Sequence, residues 1–160
     1  MEEVKMMFDL RWSKESLTTQ KLGAFGEHYA KMLLASYGMS IYSADVDDHG
    51  IDFVAENKSG FLKFQVKTVR EGTSYVYMLK EIFNIADDNL YLFLIRLIDD
   101  ESPESYIIPA TEWESSDTKA LVYHDYAGKK SKPEYGVNIS KKNMPILSKY
   151  KLKHMIDKIL

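Results

Sequence analysis

Four polar side chains define the chemistry open to this chain: Glu27, Asp52, Gln65 and Lys67, separated by 25, 13 and 2 residues. Two carboxylates and one amide carbonyl are hard oxygen donors of the kind that suit a magnesium-like cation. A lysine beside them supplies positive charge for an anionic substrate. Asp47, Asp48 and His49, in the turn before Asp52, could touch the same metal or substrate. The chain has no cysteine, so disulfides, thiolate catalysis and cysteine-bound zinc are excluded. His28, His124 and His154 are scattered without zinc-ligand spacing, and phosphate-cradling glycine loops and serine-nucleophile motifs are absent.

The elements that must position the four can be read from periodicity. Ile51 to Glu56 and Phe61 to Val69 each alternate apolar and polar residues, the pattern of half-buried strands, and Asn57-Lys-Ser-Gly60 between them has turn chemistry. Closing the hairpin on Asn57 and Gly60 sets a register in which Asp52 lies across from Gln65, their Cβ atoms roughly 5 Å apart. Lys67, two residues on, shares the face of Gln65, while Leu62, Phe64 and Val66 turn to the other side. Before the hairpin, Leu22, Gly26, Tyr29, Leu33 and Tyr37 form a stripe at helical spacing. Ser16 or Thr18 would cap this helix and Gly38 would end it. Glu27 lies on a neighbouring row with Gly23, Ala30 and Leu34, which points it partly into protein. A carboxylate there needs a cation or donors, and the hairpin face offers both through a bound metal.

In this order and spacing, Glu27 in GEHYA, Asp52 in HGID and Gln65-Val66-Lys67 resemble the PD-(D/E)XK nuclease superfamily. The resemblance covers residues 20 to 70, with Gln65 standing where the common pattern has an acid. It implies a restriction endonuclease-like core and a Mg²⁺- or Mn²⁺-dependent nuclease hydrolysing DNA phosphodiester bonds in repair, restriction or junction processing. It also implies metal ligation by Asp52, Gln65, Glu27 and the backbone carbonyl of Val66, an electrostatic role for Lys67, and a possible homodimer. The alternatives are a catalytically inactive nuclease-fold module that binds nucleic acid or a protein partner, or a charged hairpin face that is only an ion-pair network, with Glu27 contacting Lys67.

The remainder of the chain fits this frame. Its 160 residues, 45% of them hydrophobic, suit one α/β (borderline α+β) domain spanning 1–160 around a mixed central sheet. Met39 to Ala44 and Ser74 to Leu79 read as strands. Leu90 to Ile98 is a near-continuous apolar run, as in an interior strand covered on both faces. Ser105 to Pro109 and Leu121 to His124 read as further strands, Thr111 to Glu114 as a short helix, and Tyr135 to Ile139 as an edge strand. Lys149 to Leu160 reads as a helix burying Leu152, Ile156, Ile159 and Leu160. Phe8, Leu10 and Trp12 suggest a packed N-terminal segment. No run reaches the length of a membrane span, MEEVKMMFDL lacks signal-peptide character, and a cytoplasmic setting is expected. The net charge of −3 hides an asymmetry. From Lys129 onward nine lysines face only Glu134 and Asp157, so that end is basic and the rest is acidic. Lys129, Lys130 and Lys132 are the candidate contacts to nucleic acid.

Overall fold

A computed structural model describes residue 12 and residues 17–43, 50–115 and 119–160. The Ser16 cap, the packing of Phe8 and Leu10, and the turn bearing Asp47, Asp48 and His49 lie outside the described residues.

Helix α1 (Thr19–Ser36) begins where Thr18 accepts a hydrogen bond from the Lys21 N–H at 3.2 Å. It ends before Gly38, whose φ of +90° suits glycine. Its buried residues are Leu22, Gly26, Ala30 and Leu34. The stripe is therefore rotated from the expected one: Tyr29 and Leu33 are half-buried and Tyr37 is exposed. The cause is Gly26. A Cβ there would lie 1.6 Å from the Thr68 Oγ1, so the helix backbone packs directly on the Thr68 side chain of the sheet at that point. Close approach favours small residues, and Ala30 follows Gly26 into the interface while Tyr29 moves to the flank and stacks on Phe25 at 5.9 Å.

Strands β1 (Ser40–Ser43), β2 (Phe53–Asn57), β3 (Gly60–Arg70), β5 (Leu90–Leu97) and β6 (Glu104–Pro109) form a mixed sheet in the order β1-β2-β3-β5-β6. A second sheet, not anticipated from the sequence, contains β4 (Tyr75–Leu79), β8 (Glu134–Asn138) and β7 (Leu121–His124), in that order. The β2–β3 ladder has the expected register, with Asn57 opposite Gly60 and Phe53 opposite Phe64. Asn57 Oδ1 fixes the turn by accepting from the N–H groups of Ser59 and Gly60. Strand β3 continues well past β2 and pairs in parallel with β5, where Leu92, Phe93, Leu94 and Ile95 are wholly buried. That parallel pairing with burial on both faces accounts for the apolar run.

Two expectations are corrected. Tyr135–Ile139 is not an edge: β8 is the middle strand of its sheet. Gly136 makes this possible, because a side chain there would collide with the Tyr75 ring, so the strand admits an aromatic across its centre. The C-terminal helix, α3 (Leu152–Ile159), starts later than Lys149 after a short helix α2 (Met144–Leu147) and a 3-10 turn at Ser148–Tyr150. It buries Met155, Ile156 and Ile159, whereas Leu160 is exposed. A single network of buried apolar side chains runs through both sheets and the helices.

Candidate active site

Asp52 lies just outside β2. The regular ladder stops at Phe53 and Phe64, and the Asp52 N–H bonds the Phe64 carbonyl at 2.9 Å. One step further, where the next ladder partner would be, the Asp52 carboxylate intervenes: its Oδ2 accepts from the Val66 N–H at 2.6 Å. A charge-assisted bond of this kind orients the carboxylate firmly. It also places Asp52 against the peptide that joins Gln65 to Val66. In an extended strand the N–H and C=O of one residue point the same way. The Val66 carbonyl therefore faces the side on which β2 has ended.

Gln65 sits on the central strand and is only 5% exposed. Its Oε1 is buried with no hydrogen-bond partner. Of the four such side-chain oxygens among the described residues, the others belong to the hydroxyls of Thr68, Ser105 and Ser140. Gln65 thus carries the one amide carbonyl left unsatisfied, and an uncompensated amide costs about 1–3 kcal/mol in a protein interior. Lys67 shares its face. Lys63, earlier on that face, is ion-paired with Asp87, whereas Lys67 makes no ion pair among the described residues and its Nζ lies 6.0 Å from the centre of the Tyr77 ring.

Glu27 stands on α1 beside the Gly26 contact. It pairs with Lys31 at 2.8 Å, and the same ammonium donates to the Ser43 hydroxyl at 3.0 Å. Ser43 is across the ladder from Phe53, the neighbour of Asp52. One lysine head thus ties Glu27 to the end of the sheet where Asp52 sits. The alternative in which Glu27 contacts Lys67 is not the pairing that forms. Gly50, with φ +69°, packs on Ile82 in the 3-10 turn Lys80–Ile82. That turn is joined to the lysine-rich loop of residues 125–133, which carries Lys129, Lys130 and Lys132, because Lys80 N–H bonds the Pro133 carbonyl and Lys132 pairs with Glu81 at 2.8 Å. Lys129, Lys130 and Lys132 are exposed.

The donor set suits a hard divalent ion: an oriented carboxylate, an amide oxygen without a partner, and a carbonyl aimed past the end of a ladder. Three acids do not supply it, since no group of three His, Cys, Asp or Glu side chains gathers to hold a metal among the described residues.

The mixed five-stranded sheet with its flanking helices has the restriction endonuclease-like fold. A bacterial homing endonuclease has the same fold, with a TM-score of 0.52 and 17% identity over 88% of this chain and 92% of its own. The Holliday junction resolvase of the archaeal hyperthermophile Archaeoglobus fulgidus aligns with a TM-score of 0.49 and 12% identity, over 78% of this chain and 88% of its own. No family model matches the sequence, and no curated protein matches it. No described helix is long and apolar enough to cross a membrane.

Proposed function

We propose that residues 1–160 form one nuclease domain that hydrolyses phosphodiester bonds of DNA with Mg²⁺ or Mn²⁺. One observation carries the reading: Gln65, whose buried Oε1 has no hydrogen-bond partner, directly precedes Val66, whose N–H holds the Asp52 carboxylate. Asp52, Gln65 and the Val66 carbonyl would hold the ion, with Glu27 reaching it directly or through water. When bound, such an ion supplies Lewis acidity and an acidified water for in-line attack at phosphorus. Asp52 enters this chemistry already oriented by the Val66 N–H. Gln65 contributes a ligand without adding charge, so the protein brings two negative charges rather than three and repels the scissile phosphate less. Lys67 meets the negative charge that grows on the phosphoryl oxygens. Lys129, Lys130 and Lys132 bind neighbouring phosphates, and release of counterions makes affinity fall steeply with salt.

A second reading, a nucleic-acid-binding module without catalysis, draws on the Glu27–Lys31 pair, which engages one of the two carboxylates. Titration calorimetry with Mn²⁺, run beside nicking of supercoiled and branched DNA, separates the two. The nuclease reading expects metal binding and nicking by the parent protein. It expects Asp52→Asn to lower cleavage by at least roughly 100-fold, the scale on which a single electrostatic group acts at a transition state. An Asp52→Asn protein that binds Mn²⁺ like the parent removes Asp52 from the metal site, and a parent that binds no divalent ion leaves the second reading.

A further inference from the structure

The solvent-facing side of the second sheet carries a feature that the four site residues do not use. Strand alternation sends Val76, Met78, Tyr135, Val137 and Leu121 toward the core. It sends Tyr75, Tyr77 and His124 to the other face, where Gly136 leaves the sheet bare beneath the Tyr75 ring. The rings form a continuous row. Tyr77 stacks on Tyr75 at 6.4 Å and 19°, Tyr75 meets His124 edge-on at 5.9 Å, and His124 stacks on Tyr126 at 5.6 Å. The row is anchored within its own face, because the Tyr75 hydroxyl is hydrogen-bonded to the buried Glu134, which lies across from His124. Tyr126 has a left-handed φ of 54°, a conformation that costs a bulky residue free energy and that holds its ring at the end of the row.

Both ends of the row are functional ground. At one end Lys67 of the candidate active site lies over Tyr77. At the other end Tyr126 opens the lysine-rich loop, its carbonyl accepting from the Lys129 N–H. Beside Tyr75 a cavity of about 590 Å³ is lined by Val122, Asn143, Lys119, Lys142 and Ser140, whose Oγ has no partner. Tyr77 and His124 are exposed. Exposed and half-buried rings flanked by lysines form a surface on which bases stack while ammonium groups meet phosphates. Duplex DNA hides its base faces and cannot use such rings.

We infer that this face binds a single-stranded stretch of DNA, its unpaired bases stacked along Tyr77, Tyr75, His124 and Tyr126, and delivers the strand to Lys67. The proposal rests on the nuclease reading for the direction of delivery, and names its substrate as DNA with unpaired nucleotides next to the cleavage point. Charge complementarity selects the occupant, and continuity with Lys67 selects its path.

The test is fluorescence anisotropy in EDTA, so that binding is read apart from cleavage. The probes are a single-stranded oligonucleotide, an abasic strand of the same length, and a blunt duplex. The parent should bind the single strand more tightly than the other two. Tyr77→Ala, at a site open to solvent, should weaken single-strand binding by roughly 5- to 150-fold, the value of one stacked base, with duplex affinity and melting temperature unchanged. Tyr77→Phe, which keeps the ring, should bind like the parent. Equal affinity for the single strand and the abasic strand, or for the single strand and the duplex, overturns the inference, as does an unaffected Tyr77→Ala. Loss of Mn²⁺ binding or nicking with single-strand preference intact counts against the nuclease reading and leaves this surface standing.

Discussion

Two buried polar side chains sit on the central strands of the two sheets and are treated in opposite ways. Glu134, 7% exposed on β8, receives the Tyr75 hydroxyl. Burial first, and then the Glu134 carboxylate, push the Tyr75 phenol above its ordinary value, so it stays protonated and donating. Gln65, 5% exposed on β3, has an oxygen that receives nothing. Proteins nearly always satisfy buried polar groups, since the unmet group keeps its full desolvation cost. The three-stranded sheet has solved that problem internally, and the five-stranded sheet has left it open beside an oriented carboxylate. The contrast separates a polar group satisfied within the fold from one left without a partner, which the proposed function reads as a metal ligand.

The largest expected effect breaks the comparison from the structural side. Glu134→Ala removes a buried hydrogen bond to a charged group, worth about 2 kcal/mol. At this chain length the melting temperature should fall by roughly 4–8 °C. If Glu134 is structural only, the rise in melting temperature on adding Mn²⁺ should equal that of the parent. A lost Mn²⁺ response would place Glu134 in the metal site and erase the distinction.

The hairpin was legible because its turn residues and its alternation fix one register, and the ladder from Asn57–Gly60 to Phe53–Phe64 follows from them. The interior strand at Leu90 was legible because burial on both faces leaves a composition that few other elements share. Three things were hidden. The rotation of α1 depends on Gly26 meeting Thr68, a contact between residues far apart in sequence that no periodicity encodes. The place of β8 as a middle strand depends on its two partners, and Gly136 reads in isolation as a weakness rather than as room for a ring. The break in the ladder at Asp52 depends on a side chain taking the Val66 N–H, so the expected face-to-face pairing with Gln65 becomes a contact to the backbone beside it. The sequence therefore carries the identity of the candidate residues, while their geometry comes from contacts between elements.

Gln65→Glu sharpens the comparison from the other side. It puts a carboxylate of the same reach into a buried position near Asp52. Without metal the two acids disfavour each other's ionised forms, and the new group should titrate well above an ordinary glutamate. With metal the added charge should tighten Mg²⁺ binding by about tenfold, or 1.4 kcal/mol. The variant should therefore melt below the parent in EDTA and gain more than the parent from Mg²⁺. Calorimetry and paired melts read both quantities. An unchanged Mg²⁺ affinity would show that the side chain at this position does not reach the ion.

Gln65→Leu has the smallest expected effect and an uncommon sign. Leucine is similar in size, matches Leu92 and Leu94 on the adjoining strand, and removes the unsatisfied amide oxygen. Replacing a buried polar group that has no partner by an apolar one is neutral or stabilising, since the desolvation cost disappears and no bond is lost. The metal-free variant should gain about 1 kcal/mol, which raises the melting temperature by roughly 2–4 °C. A ligand that binds only the folded state stabilises it by mass action. The parent should therefore recover the difference as Mn²⁺ is added, while the leucine variant, having lost a ligand, responds weakly. Crossing melting curves, with the variant ahead in EDTA and behind at saturating Mn²⁺, are the expected outcome. A variant that is less stable than the parent in EDTA would show that Gln65 supports the fold as Glu134 does, and the two sheets would no longer differ in kind.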